Sequence, residues 1–236
     1  KKIVLPEFED SRVIEAAAAI LKEGFCVPVL VGAEDKIQAA ATAAGVSLEG
    51  AEIINPATFG ELNKMVDTFV ELRAKKGMTP EKARATMTGD ALFFGAMLVR
   101  LGLADGMVAG SASPTANVLR AAIQVVGTQA GLKTVSSSML VITDKKEYGD
   151  DGLLIFSDCG VIPNPTSEQL ADIAESSVGK ARSVAGMKEP RVSFLSFSTK
   201  GSASSPEVDK VVAAVEDLKG RNVDFAFDGE LQLDAS

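Results

Sequence analysis

Residues 2–32, KIVLPEFEDSRVIEAAAAILKEGFCVPVLVG, hold two short apolar runs, Ile3 to Leu5 and Val27 to Val31, on either side of a helical stretch. Between them Val13, Ile14, Ala17, Ala18 and Leu21 recur at helical spacing behind a cap at Asp10 or Ser11, and Gly24 marks the helix end. A strand, a helix and a strand in this order predict a βαβ unit, the start of a mainly parallel sheet. The alternation continues. Strands are expected near 2–6, 26–32, 51–56, 106–111, 135–143, 153–159, 191–197 and 223–229. Further helices are expected near 35–45, 59–76, 79–88, 90–104, 113–127, 167–186 and 205–221. Thr79-Pro80, Ser113-Pro114 and Ser205-Pro206 each set a cap before a proline at the first helical position, and Thr166 with Gln169 has capping-box spacing. One stretch departs from the pattern. The runs at 135–143 and 153–159 are joined only by the polar turn from Asp144 to Gly152, too short for a parallel crossover, and so predict an antiparallel hairpin. The fold class is α/β. The change of architecture puts a domain boundary near residue 130, with an N-terminal α/β domain over 1–129 and a second α/β domain over 130–236.

The 236 residues, 46% apolar and 24% charged, suffice for one large or two small packed domains. No stretch approaches the roughly 20 apolar residues of a membrane span, and the opening is too short for a signal core. No membrane association and a cytoplasmic location are therefore expected. A net charge of -8, no Trp and one Tyr argue against a nucleic-acid partner. The absence of histidine removes Ser-His-Asp and Cys-His mechanisms and His-ligated zinc, and no metal is expected. Chemistry falls to Asp, Glu, Lys, Arg, Ser or Cys. The two cysteines, Cys26 and Cys159, are too few for a disulfide framework and fit a reducing compartment. Cys159, near a strand end, is expected to be a buried structural thiol.

Two strand-to-helix loops are candidates for holding anions, because ligands of open α/β sheets bind beyond the carboxyl ends of strands, where backbone N–H groups face the loop. The first is Gly110-Ser111-Ala112-Ser113-Pro114-Thr115, and the second is Ser198-Thr199-Lys200-Gly201-Ser202-Ala203-Ser204. Small residues admit an anion to the backbone, hydroxyls add donors, and Lys200 adds a charge. The second loop is not a Walker A motif, since Lys200 precedes Gly201. Arg120 favours the first loop: Asn117, Arg120, Gln124 and Thr128 form a polar stripe, with Leu119, Ala122, Ile123 and Val126 expected toward the core. Helical side chains lean toward the N-terminus, which aims Arg120 back at the loop. Arg73, in Glu71-Leu72-Arg73-Ala74-Lys75-Lys76-Gly77, reads by pattern alone as the basic last turn of a helix.

These residues together resemble the phosphotransacetylase (phosphate acetyltransferase) family, within the phosphate acetyl/butyryltransferases. The most specific segments are STKGSA at 198–203 and DGELQLDA at 228–235; Ile3 to Glu7, Leu101 to Gly110, Val118 to Gln124 and Glu147 to Gly149 add to them, in order along the chain. The resemblance implies two α/β domains flanking a cleft, similar to isocitrate and isopropylmalate dehydrogenases, and a homodimer. It implies reversible acetyl transfer between acetyl phosphate and coenzyme A, by direct thiolate attack in a ternary complex. The partners are then coenzyme A or acetyl-CoA, acetyl phosphate and inorganic phosphate, with no cofactor, coenzyme A being a substrate. By the same resemblance Arg73 and Arg120 contact coenzyme A and Thr115 supplies a hydroxyl, and with Ser198, Thr199, Lys200, Gly201 and Ser202 these make the substrate-binding set. Ser113 stands where the family often has a histidine. The family's catalytic base and transition-state arginine follow DGELQLDA, beyond Ser236. The second domain is accordingly expected to be incomplete, and the piece alone to be inactive. The alternatives are a phosphate butyryltransferase and a non-catalytic acyl-CoA sensing module similar to that attached to some malic enzymes. A dehydrogenase on the same fold is disfavoured by the lack of a dinucleotide fingerprint.

Overall fold

The computed structural model describes residues 1–129 and 131–236, which fold as two compact units, Lys1–Gly127 and Thr128–Ser236. Ala130, where the sequence reading starts the second domain, lies outside the described residues.

In the first unit β1 (Lys2–Leu5), β2 (Val27–Val31), β3 (Glu52–Ile54) and β4 (Gly106–Met107) form a parallel sheet in the order β3-β2-β1-β4. Successive strand residues serve opposite faces. Val4, Val29 and Val31 pack with Met65 and Phe69 of α3 (Leu62–Arg73), Met87 of α4 (Pro80–Gly89) and Phe94 and Leu98 of α5 (Ala91–Arg100). Leu5 and Leu30 pack with Ile14 of α1 (Ser11–Glu23) and with Ile37 and Ala41 of α2 (Glu34–Ala44). Each fully buried large side chain contributes about 1.5–3 kcal/mol relative to exposure, so the helices on both faces hold the sheet. Gly95 lets α5 sit close: a Cβ there would meet Met107 Sδ at 2.9 Å and Val4 Cγ1 at 3.0 Å.

The expected start of α1 is present, with Asp10 accepting from the Arg12 N–H and Gly24 left-handed at the end. α6 (Thr115–Ala121) differs from expectation. Pro114 occupies the capping position and no side chain caps the helix. The helix then widens into a π-helical turn, Ala122–Val126. Asn117 and Arg120 are exposed as the stripe predicts, but the core face runs through Val118, Ala121 and Val125, while Ile123 and Val126 are 46% and 41% exposed. The wider turn breaks the regular helical repeat from which those two positions were placed.

In the second unit β5 (Met139–Ile142) and β6 (Leu153–Phe156) make the expected antiparallel hairpin, with Met139 opposite Phe156. β7 (Arg191–Leu195) pairs in parallel with β8 (Ala226–Leu231). α7 (Ser167–Ser183) and α8 (Pro206–Gly220) bury Ala171, Ala174, Ala214, Val215 and Leu218 around Phe194. Both predicted caps are formed: Thr166 and Gln169 satisfy each other's backbones, and Ser205 accepts from the Val208 N–H. Arg221, just past α8, ties the helices together through Asp172 at 2.7 Å, Glu175 at 2.8 Å and Asp217 at 2.6 Å. Among the described residues no helix is long and apolar enough to cross a membrane.

Candidate functional site

The strand order puts β1 beside β4 at the point where successive connections diverge, the switch point at which open α/β sheets bind ligands. Glu7, two residues past β1, lies there. Its Oε2 accepts from the Gly110 N–H at 2.6 Å, the Ser111 N–H at 2.9 Å and the Ser111 hydroxyl at 3.0 Å, and its Oε1 accepts from the Ala112 N–H at 3.2 Å. The loop does gather an anion, and that anion is a carboxylate of the same chain. Just past β4 the Val108 N–H still donates to the Val4 carbonyl at 2.9 Å, and the amides of residues 110–112 then close around Glu7. Burial alone would push the Glu7 carboxyl up. The donors from Ser113, Gly110 and Ser111 outweigh burial and bring it from 4.5 down to about 2.

The second loop repeats the arrangement. Glu230, 4% exposed on β8, accepts at Oε1 from the Gly201 N–H at 2.6 Å and from the fully buried Ser198 hydroxyl at 3.1 Å. The backbone is left-handed at Lys200 (φ 49°) and Gly201 (φ 82°), a geometry that glycine adopts without strain and lysine does not. Thr199 N–H donates to Ser202 Oγ at 2.9 Å, and Thr199 Oγ1 accepts from the Gln232 N–H at 2.8 Å. The Gly201 amide, with smaller help from Ser198 and Lys200, holds the Glu230 carboxyl below its ordinary value. Lys200 itself pairs with Asp228 and donates to the Gly229 carbonyl at 2.9 Å. Its charge is therefore shared with a neighbouring carboxylate.

A third carboxylate follows the same rule. Asp158 accepts from the Ser137 hydroxyl and from the amides of Ser137, Gly160, Val161 and Ile162, which hold it well below the usual range against its burial. Cys159 beside it is exposed, not buried as the sequence suggested, because the Asp158 turn draws the backbone inward and leaves the thiol outside, its Sγ 3.1 Å from the Phe156 carbonyl.

The structure brings Ser198, Thr199, Lys200, Gly201 and Ser202 together in one loop of the second unit. Thr115 and Arg120 lie on α6 and Arg73 closes α3, all in the first unit. Thr115 and Arg120 are exposed. Arg73 is half-buried, and its Nε is buried with no hydrogen-bond partner among the described residues. The pattern reading passed over Glu7, Glu230 and Asp158. The available signal was an acidic residue beyond or within the strand paired with each loop's own strand, as in Pro6-Glu7 and Asp228-Gly229-Glu230. Among the described residues no group of His, Cys, Asp or Glu could hold a metal ion.

A family profile described as "Phosphate acetyl/butaryl transferase" matches residues 1–236. A phosphate acetyltransferase from Thermoanaerobacterium thermosaccharolyticum is 48% identical over 236 residues, spanning 100% of this chain and 71% of the relative. One from Clostridium acetobutylicum is 45% identical, spanning 100% and 70%. Among solved structures, a phosphotransacetylase from Streptococcus pyogenes superposes with a TM-score of 0.87 at 38% identity, over 99% of this chain and 68% of that one. The EutD phosphotransacetylase from Staphylococcus aureus gives 0.85 at 39%, over 98% and 68%.

Proposed function

Because the chain belongs to the phosphate acetyl/butaryl transferase family, we propose that it serves reversible acetyl transfer between acetyl-CoA and inorganic phosphate, giving acetyl phosphate and coenzyme A. The observation that carries this reading is the match across all 236 residues to phosphate acetyltransferases at up to 48% identity.

In the direction from acetyl phosphate, the coenzyme A thiolate attacks the acetyl carbonyl carbon. The C–S bond forms, a tetrahedral oxyanion follows, and the C–O bond breaks as phosphate leaves with the electron pair. No cofactor and no enzyme-bound acyl group are needed for this step. Arg73 and Arg120 supply planar forks suited to phosphate, and a donor of this kind aimed at developing charge is typically worth about 3 kcal/mol of barrier. Thr115 adds a hydroxyl in the first unit, and the loop from Ser198 to Ser202 is an anion-binding element of the second unit, with Glu7 and Glu230 each holding its own loop in shape.

The working form in this reading is a cytoplasmic homodimer. Two free cysteines fit a reducing compartment, and Ile142 and Met139, 75% and 57% exposed on the hairpin, offer apolar surface for a second copy. The test compares acetyl-CoA and butyryl-CoA as substrates of the full-length protein at fixed phosphate, following release of the coenzyme A thiol. Faster release from acetyl-CoA supports acetyl transfer, strong preference for butyryl-CoA supports the butyryltransferase, and tight binding of either without turnover supports an acyl-CoA sensor.

A further inference from the structure

The second unit holds, besides its anion loop, a chain of hydroxyls that ends on a lysine. Lys180 of α7 donates from Nζ to Ser138 Oγ at 2.9 Å and to the Ser136 carbonyl at 3.1 Å. Ser138 Oγ lies 2.6 Å from Ser157 Oγ. The hairpin explains this spacing: Met139 pairs with Phe156, so the preceding Ser138 and the following Ser157 stand opposite each other at the strand ends. All three residues are half-buried.

Both hydrogen bonds of Lys180 go to neutral oxygens. Burial favours its uncharged amine, opposed by the negative charge of the nearby Asp158 carboxylate. The Asp158 carboxylate is already surrounded by Ser137, Gly160, Val161 and Ile162. A serine hydroxyl is a weak nucleophile until a base takes its proton, and a partly desolvated lysine amine in direct contact is one of the arrangements that does so.

We propose that Ser138 is an acylation site, a nucleophile whose proton Lys180 accepts, taking acyl groups from activated donors such as acyl phosphates or activated esters. This is a second activity of the unit, separate from transfer to coenzyme A. Neutral Lys180 takes the Ser138 hydroxyl proton while Ser138 Oγ bonds to the acyl carbonyl carbon. The tetrahedral adduct then expels the donor's oxygen leaving group with its electron pair. The products are a Ser138 ester, an ammonium at Lys180 and the free leaving-group anion. Ser157 is a positioning residue, its Oγ 2.6 Å from Ser138 Oγ in a hydrogen bond that either hydroxyl can donate.

The test treats the full-length protein with p-nitrophenyl acetate, which carries neither phosphate nor coenzyme A, so that its outcome is independent of the transferase reading. Release of p-nitrophenolate is followed, and peptide mass spectrometry locates the acetyl group. The expected result is an acetyl ester on Ser138 that is absent in Ser138→Ala. Its formation is slowed about 100-fold or more in both Lys180→Met and Lys180→Arg, the contribution of a positioned general base. Lys180→Arg keeps length and charge, so it carries the comparison if far-UV circular dichroism shows that the methionine variant does not fold. An unmodified Ser138 in the parent, acetyl on Lys180 in its place, or a parent-like rate in Lys180→Arg would overturn the proposal. The last outcome would leave Lys180 as a tie between α7 and the hairpin.

Discussion

Glu7→Gln keeps the shape of the side chain and removes the charge around which residues 110–112 close. The remaining amide oxygen can still accept from Gly110 and Ser111, but the new NH2 faces the Ala112 N–H, where a 3.2 Å hydrogen bond now lies. The folded carboxyl is depressed from 4.5 to about 2, which corresponds to about 3 kcal/mol of stabilisation by the ionised form. A depressed carboxyl stabilises the fold fully above its unfolded pKa, and that contribution is lost as pH falls through the folded one. The window is thus from 4.5 down to about 2. Urea unfolding followed by far-UV circular dichroism across this window should show the variant less stable by about 3 kcal/mol at its upper end, the two proteins converging toward its lower end. Faster hydrogen exchange at the amides of 110–112 would place the loss at this loop. A gap below about 1 kcal/mol at the upper end, or one that does not shrink on acidification, would refute the assignment of Glu7 as the loop's anion.

Three other substitutions probe different parts of the account. Gly229→Ala sets a Cβ 2.6 Å from Phe194 Cβ and 3.0 Å from Val215 Cγ2, so β7 and β8 must shift; a loss of about 1–3 kcal/mol is expected in thermal unfolding, and an unchanged Tm would contradict the packing. Arg221→Met leaves Asp172, Glu175 and Asp217 without their shared cation, with an expected cost of about 3 kcal/mol by denaturant titration. Arg120→Ala should weaken coenzyme A binding in calorimetry while leaving Tm unchanged, because Arg120 is exposed, and Arg120→Lys should restore only part of the affinity because it lacks the planar fork. Equal losses of affinity and Tm in Arg120→Ala would make that residue structural.

The periodicity of residues 2–32 and the strand and helix runs after them were enough to place every helix and strand of the sheet architecture, because burial on a strand or helix face imposes a repeat that a single sequence displays. The hairpin was equally legible, since nine polar residues cannot make a parallel crossover. Two features were not. The core face of α6 depends on a π-helical turn that no local pattern announces, whereas the regular helical repeat points Ile123 and Val126 inward. The loops at 110–115 and 198–204 were legible as anion-binding backbone, but the identity of the anion was not. Glu7 is distant in sequence from its loop and Glu230 from Ser198, and such pairings depend on which strands become neighbours. Cys159 follows the same logic: its exposure is set by how Asp158 folds the turn, which the apolar run before it does not reveal.

The most direct test of acetyl transfer is phosphorus NMR of the full-length protein mixed with acetyl-CoA and inorganic phosphate. The expected result is a growing acetyl phosphate resonance, matched mole for mole by free coenzyme A thiol and reversed when coenzyme A is added in excess. Acetyl-CoA that stays bound and intact while no acetyl phosphate appears would contradict it.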